Sequence, residues 1–147
     1  MVELYVNNNG VLIPSQSYSL KAGNRGHLYG DGCFESIRVI NGRPINLPNH
    51  YKRLRATLNV LHMNIPATFT IDFFEKEIQL LINQNKIDQG GKIRFSIDRK
   101  PGGTYLPRTN EIDYFIEAYP LPLNSFELNE NGLRLALYND IKKPINI

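Results

Sequence analysis

The order of elements along this chain predicts an α+β domain: a mixed, largely antiparallel sheet with two helices packed against it. Three observations carry the prediction. Short apolar runs around Asn8-Asn9-Gly10 and around Asn41-Gly42 read as two hairpins, because asparagine–glycine turns match the twist of paired strands. Between Pro48 and Leu81 the apolar residues recur at helical spacing. Two alternating stretches follow, so the chain lacks the regular strand–helix–strand order of a doubly wound fold.

In order, Leu4-Tyr5-Val6 and Val11-Leu12-Ile13 form the first hairpin. A glycine-punctuated loop, with Gly26, Gly30 and Gly32, then runs into a strand from about Cys33 to Ile40, which turns at Asn41-Gly42 into Arg43 to Leu47. Pro48 suits the first turn of a helix, where its missing N–H costs nothing. Tyr51, Leu54, Leu58, Leu61 and Ile65 make that helix's buried stripe. Thr70 is a good N-cap for a second helix, with Asp72 favoured by the helix dipole. Its stripe is Ile71, Phe74, Ile78 and Leu81, and Gly90-Gly91 closes the segment. Lys92 to Asp98 alternates, with Ile93, Phe95 and Ile97 on one face. Lys100 to Pro107 is a loop, Asp113 to Tyr119 a strand, Pro120 to Gly132 a connector, and Leu133 to Tyr138 the start of a further strand.

The 147 residues suit one domain able to bury a core. No apolar run approaches the roughly 18 residues of a membrane span. Met1-Val2-Glu3 opens no basic-then-apolar leader, so a cytoplasmic setting is the expectation. Cys33 is the only cysteine, which excludes an internal disulfide framework, and His27, His50 and His62 have no metal-ligand spacing, so no metal site is expected. The net charge of +3 suits an anionic small molecule as well as nucleic acid and decides nothing alone, but no basic stripe or recognised module points to nucleic acid.

Two stretches carry candidate chemistry. Along Cys33 to Val39, period-2 geometry puts Phe34, Ser36 and Arg38 on one face and Cys33, Glu35, Ile37 and Val39 on the other. The first face is a pocket wall or a half-solvated sheet face, and pattern alone favours the second. Glu35 shares the apolar face and needs a partner there, most simply an ion pair. In His50-Tyr51-Lys52-Arg53-Leu54, His50 and Arg53 are helix-surface neighbours. Arg53 borders the buried stripe, so its planar fork can reach inward to a phosphate or carboxylate, or lie along the surface. Lys92 and Arg94 share a sheet face that could bind an anion or simply be solvated.

Taken together, Arg25 to Arg38, a hairpin and then His50 to Leu54 resemble the class IV (fold-type IV) pyridoxal-phosphate enzymes. This family includes branched-chain and D-amino-acid aminotransferases and 4-amino-4-deoxychorismate lyases, and the resemblance runs over nearly the whole chain. It implies the N-terminal domain of the D-amino-acid aminotransferase-like fold and pyridoxal 5'-phosphate as cofactor. Arg53 matches the arginine that binds the cofactor phosphate. Tyr29 and Phe34 match aromatic positions of the substrate pocket, Arg38 lies on the same strand facing the same way, and Arg94 matches a position near the substrate carboxylate. Lys92 departs from the tyrosine common in the branched-chain enzymes.

The resemblance further implies residues 1–120 as the N-terminal domain, 121–132 as an interdomain connector and 133–147 as the start of a truncated second domain. The lysine that anchors the cofactor belongs near the start of that second domain. Lys143, with Asn146 three residues on, is a partial match in which Pro144 replaces a hydroxyl residue, and the alternative is a lysine beyond Ile147. The implied activity is amino transfer between a branched-chain-like amino acid and a 2-oxo acid by a homodimer. This chain is then the N-terminal half and is expected to be inactive alone. Pyruvate release by an aminodeoxychorismate lyase, or a non-catalytic domain keeping the fold, are the alternatives.

Overall fold

The computed structural model describes residues 3–137. Its strands are β1 (Tyr5–Asn8), β2 (Val11–Pro14), β3 (Gly32–Ile40), β4 (Arg43–Pro44), β5 (Gly90–Arg99) and β6 (Ile112–Leu121). Its helices are α1 (Arg25–Tyr29), α2 (Leu47–Val60) and α3 (Ile71–Gln84). The strands form one sheet in the order β2-β1-β6-β5-β3-β4, and every pairing is antiparallel. The α+β domain with a largely antiparallel sheet forms as expected, and all of its strand pairings are antiparallel.

One face of the sheet is dry. Ile37, Val39, Ile93, Phe95, Ile97, Ile116 and Ala118 meet Leu54 and Leu58 of α2 and Phe74, Ile78, Leu81 and Ile82 of α3 in a single core. Burying such side chains contributes about 1.5–3 kcal/mol each, which anchors both helices on this face. The alternation read along Lys92 to Asp98 is the cause: every second residue of β5 faces the helices.

The other face forms a grid of polar and aromatic side chains. Antiparallel register lines up Phe34, Ser96 and Phe115 in one row, Ser36, Arg94 and Glu117 in the next, and Arg38, Lys92 and Tyr119 in the third.

Several local expectations are corrected. The stretch read as a loop contains α1, because the Asn24 side chain caps it by accepting from the His27 N–H at 2.7 Å and Gly30 ends it in the left-handed region at φ 64°. The run from Arg43 gives a strand of only two residues before α2 begins at Leu47. Helix α2 stops at Val60, short of Leu61 and Ile65: His62 adopts φ 52°, and Pro66 disfavours the helical region for the residue before it. Both side chains still pack against the core from the following loop. Thr70 caps α3 as expected, its hydroxyl accepting from the Phe73 N–H at 3.2 Å. Ile71, assigned to the buried stripe, sits at the first helical position and is exposed.

Gly90 and Gly91 do not end a helix; they begin β5, and a Cβ on Gly90 would lie 2.0 Å from the Leu123 carbonyl oxygen. Strand β6 runs on to Leu121, past Pro120, where the connector was expected to begin. Leu133 to Leu137 form no strand, and Leu133, Leu135 and Leu137 are exposed. Their alternation needs neighbouring strands, and none lies beside them among the described residues. Tyr138 and Lys143 lie outside the described residues.

Candidate functional site

Three clusters gather at the β3 end of the sheet. The first joins α2 to the core face. Glu35, buried on β3, accepts from Arg53 Nε at 2.8 Å through Oε1, while Oε2 meets Arg53 Nη2 and lies 2.7 Å from His50 Nδ1. The ion pair expected of Glu35 forms with Arg53, and His50 lies within hydrogen-bond distance of the same carboxylate. The fork geometry fixes the plane of the Arg53 guanidinium. Its side chain is 64% exposed, and Nη1 has no hydrogen-bond partner among the described residues. The Glu35 hydrogen bond, then its charge, raise the Arg53 pKa above its ordinary value, so the guanidinium is a permanent cation. One edge is held and the other is open, a donor arrangement that fits a phosphate ester.

The second cluster lies on the outer face. The Arg94 guanidinium sits 3.5 Å from the centroid of the Phe34 ring, which is half exposed. This cation–π contact leaves the in-plane N–H groups of Arg94 free of partners among the described residues. Arg94 also lines a cavity of about 540 Å³ with Ser96, Asp98, Asn24, His27 and Tyr18 among its walls; Phe34, Tyr29 and Arg38 stand outside that lining. Arg38 shares the face but reaches the segment after β6, where Nη2 donates to the Leu123 and Ser125 carbonyls. Its buried Nε has no partner among the described residues.

The third cluster is one that sequence reasoning missed. Asp31 Oδ2 accepts from Arg25 Nε at 2.7 Å and from Arg99 Nε at 3.0 Å. Arg25 Nη1 donates to the carbonyls of Thr104 at 2.8 Å, Gly102 at 3.1 Å and Gly103 at 3.4 Å. Arg99 Nη2 donates to the Leu61 carbonyl at 2.7 Å, and Nη1 reaches Asn110 and the His62 carbonyl. Burial pushes the Asp31 carboxyl up, but hydrogen bonds and charge from the two arginines outweigh it and hold it below the ordinary carboxylate value. A signal for Arg99 was present: it continues the buried alternation Ile93, Phe95, Ile97.

Tyr29, at the C-terminal end of α1, belongs to the third cluster. Its ring lies 4.8 Å from Arg25 Cζ and 6.4 Å from the ring of Tyr105. Helix α1 is seated on β5 by Asp98, which accepts from Asn24 Nδ2 at 2.7 Å. A Cβ on Gly26 or Gly32 would lie 2.1 or 2.2 Å from Asp98 Oδ1, so both glycines are required for this approach. Burial, reinforced by Glu35 and Asp98, pushes the Cys33 thiol up to about 11, so it is no ready nucleophile.

Residues 32–146 match the family model described as amino-transferase class IV. A D-alanine aminotransferase of Staphylococcus aureus (strain N315) is 26% identical over 135 residues, covering 91% of this chain and 47% of that protein. A putative branched-chain-amino-acid aminotransferase of Methanocaldococcus jannaschii is 27% identical over 143 residues, covering 95% of this chain and 47% of that protein. The chain thus spans about half the length of the curated relatives it matches. A solved branched-chain aminotransferase from the thermophilic archaeon Thermoproteus uzoniensis, with norvaline, aligns with a TM-score of 0.71 at 21% identity, over 80% of this chain and 41% of that one. That likeness is one of fold. No helix among the described residues is long and apolar enough to cross a membrane.

Proposed function

The chain belongs to the class IV aminotransferase family, and on that premise we propose that the protein carrying it moves an amino group between a branched-chain-like amino acid and a 2-oxo acid with pyridoxal 5'-phosphate as cofactor. We assign this chain the N-terminal half of that enzyme, with residues 1–120 as its domain, 121–132 as connector and 133–147 as the start of the second domain. The lysine that carries the cofactor is Lys143 or lies beyond Ile147. The working form is a cytoplasmic homodimer.

The observation that carries this reading is the Arg53 guanidinium, locked along one edge by buried Glu35 and open along the other. Bound there, the cofactor supplies the electron-accepting ring that makes a substrate Cα proton acidic. The chain's own residues supply orientation. Glu35 fixes the plane of Arg53, and His50 Nδ1 closes the second side of the carboxylate. Arg53 holds the phosphate through Nη1. Arg94, steadied over Phe34, presents its free N–H groups to the substrate carboxylate. Phe34 and Tyr29 offer apolar rings to the substrate side chain, and Arg38 adds positive charge to the same face while holding the connector.

The test incubates this chain, and a longer form that includes the second half, with pyridoxal phosphate. Borohydride reduction and mass spectrometry then map the labelled lysine. Labelling of one lysine in the longer form, with transfer of an amino group to a 2-oxo acid, is expected. Pyruvate release from aminodeoxychorismate without transfer would support the lyase alternative. Failure of the longer form to bind cofactor would leave a non-catalytic domain.

A further inference from the structure

The loop from Pro101 to Arg108 stands off the sheet. Its own contacts are internal: Gly103 bridges Pro107, and the Arg108 N–H donates to the Gly102 carbonyl at 3.4 Å. Among the described residues, the hydrogen bonds that tie this loop to the rest of the molecule all come from one atom, Arg25 Nη1, on the carbonyls of Gly102, Gly103 and Thr104. The loop tip carries Tyr105, 93% exposed, whose ring pairs with Tyr29. Arg25 lies against the Tyr29 ring as well, so one guanidinium sets both halves of the aromatic pair.

Arg25 is itself set by Asp31. Its Nε is spent on that carboxylate, which Arg99 grips from the other side while anchoring to the end of α2. A chain of contacts thus runs from α2 through Arg99, Asp31 and Arg25 to the tip of an otherwise untethered loop.

We propose that Asp31 is a positioning residue of the substrate site: by holding Arg25 against Arg99 it fixes the Gly102–Thr104 backbone and the Tyr29–Tyr105 pair, and so sets which amino-acid side chain the site accepts. The inference rests on the reading of the chain as half of an aminotransferase. Asp31 touches no substrate. It acts through the placement of Tyr29 and Tyr105, the apolar edge against which a branched side chain is discriminated from a methyl group.

The test uses the longer, cofactor-loaded protein with two charge-conserving variants, Asp31→Glu and Arg25→Lys. Both keep the buried charges balanced, whereas deleting the carboxylate could unfold the domain. Amide hydrogen exchange in residues 101–108 is expected to quicken about tenfold in each variant, with the core strands unchanged. The preference for leucine over alanine as amino donor, taken as the ratio of kcat/KM values, is expected to fall about tenfold, through the KM for leucine. Adding Tyr105→Ala to either variant should produce little further fall in that ratio, because both changes remove the same edge. A purely structural role would lower kcat for both donors together and leave their ratio intact, which overturns the proposal. Unchanged exchange in the loop overturns it as well. If the unsubstituted protein transfers no amino group, the functional reading itself falls; if it does and the variants keep the wild-type ratio, only the role of Asp31 falls.

Discussion

Asp31 and Glu35 are four residues apart, and each carboxylate is gripped by arginine, yet the two grips have different outcomes. At Asp31 both partners are enclosed, with side-chain exposure of 3% for Arg25 and 7% for Arg99. Their hydrogen bonds run to protein oxygen and the groups are sealed from solvent, so little is left for a ligand. At Glu35 the carboxylate is enclosed too, but its arginine is 64% exposed and has an unused nitrogen. The same ion-pair chemistry makes a closed structural joint in one place and an oriented, solvent-facing guanidinium in the other. What separates them is the supply of acceptors: Arg25 meets the carbonyls of Gly102 to Thr104 and Arg99 that of Leu61, whereas Nη1 of Arg53, on the exposed edge of α2, meets none among the described residues.

The comparison is tested most severely by Asp31→Asn. It leaves two buried guanidinium groups without a counter-charge, and a loss of about 3–5 kcal/mol is expected in urea unfolding. Arg53→Ala should cost less, about 1–2 kcal/mol, because His50 still serves the buried carboxylate. Its effect on binding runs the other way: affinity of the longer form for pyridoxal phosphate, followed by cofactor absorbance, should fall at least about tenfold. If Arg53→Ala proved as destabilising as Asp31→Asn and left cofactor binding intact, the contrast between a closed and an open arginine would be wrong.

A pH series sharpens it further. The folded pKa of Asp31 is depressed, so its stabilising contribution is fully present above the unfolded value of about 3.9 and is lost as pH falls through the folded value. Stability measured from about pH 5 downward should therefore fall less steeply in Asp31→Asn than in the parent. The smallest effect belongs to Lys100→Ala. This residue pairs with Glu111 at 2.8 Å on the open surface, where such pairs contribute little, and no change in Tm is expected.

The strands, both long helices and the two faces of β3 were legible because each rests on local periodicity. Thr70 as a cap and Glu35 as one half of an ion pair were legible from neighbours as well: a polar residue on an apolar face must find a partner. Helix α1 was missed because five residues around a glycine have no helical signal strong enough to stand alone. Its stability comes from the Asn24 cap and from Asp98, 74 positions away from Asn24. The Asp31 joint was missed although its residues lay in view, since nothing in a linear pattern says that Arg99 reaches back 68 positions to Asp31. Arg38 shows the opposite limit. Its face was read correctly, but its hydrogen bonds include one to the Leu123 carbonyl, 85 residues onward.

By itself, the sequence determined which residues face the core, where the chain turns, and the residue types from which a phosphate and carboxylate site could be built. Backbone geometry repeats every two or 3.6 residues, so these properties follow from neighbours alone. The tertiary structure decided which arginines are spent and which are left open. A guanidinium is a donor in search of acceptors, and those acceptors are brought to it by strand register and helix packing, which no short stretch of sequence contains.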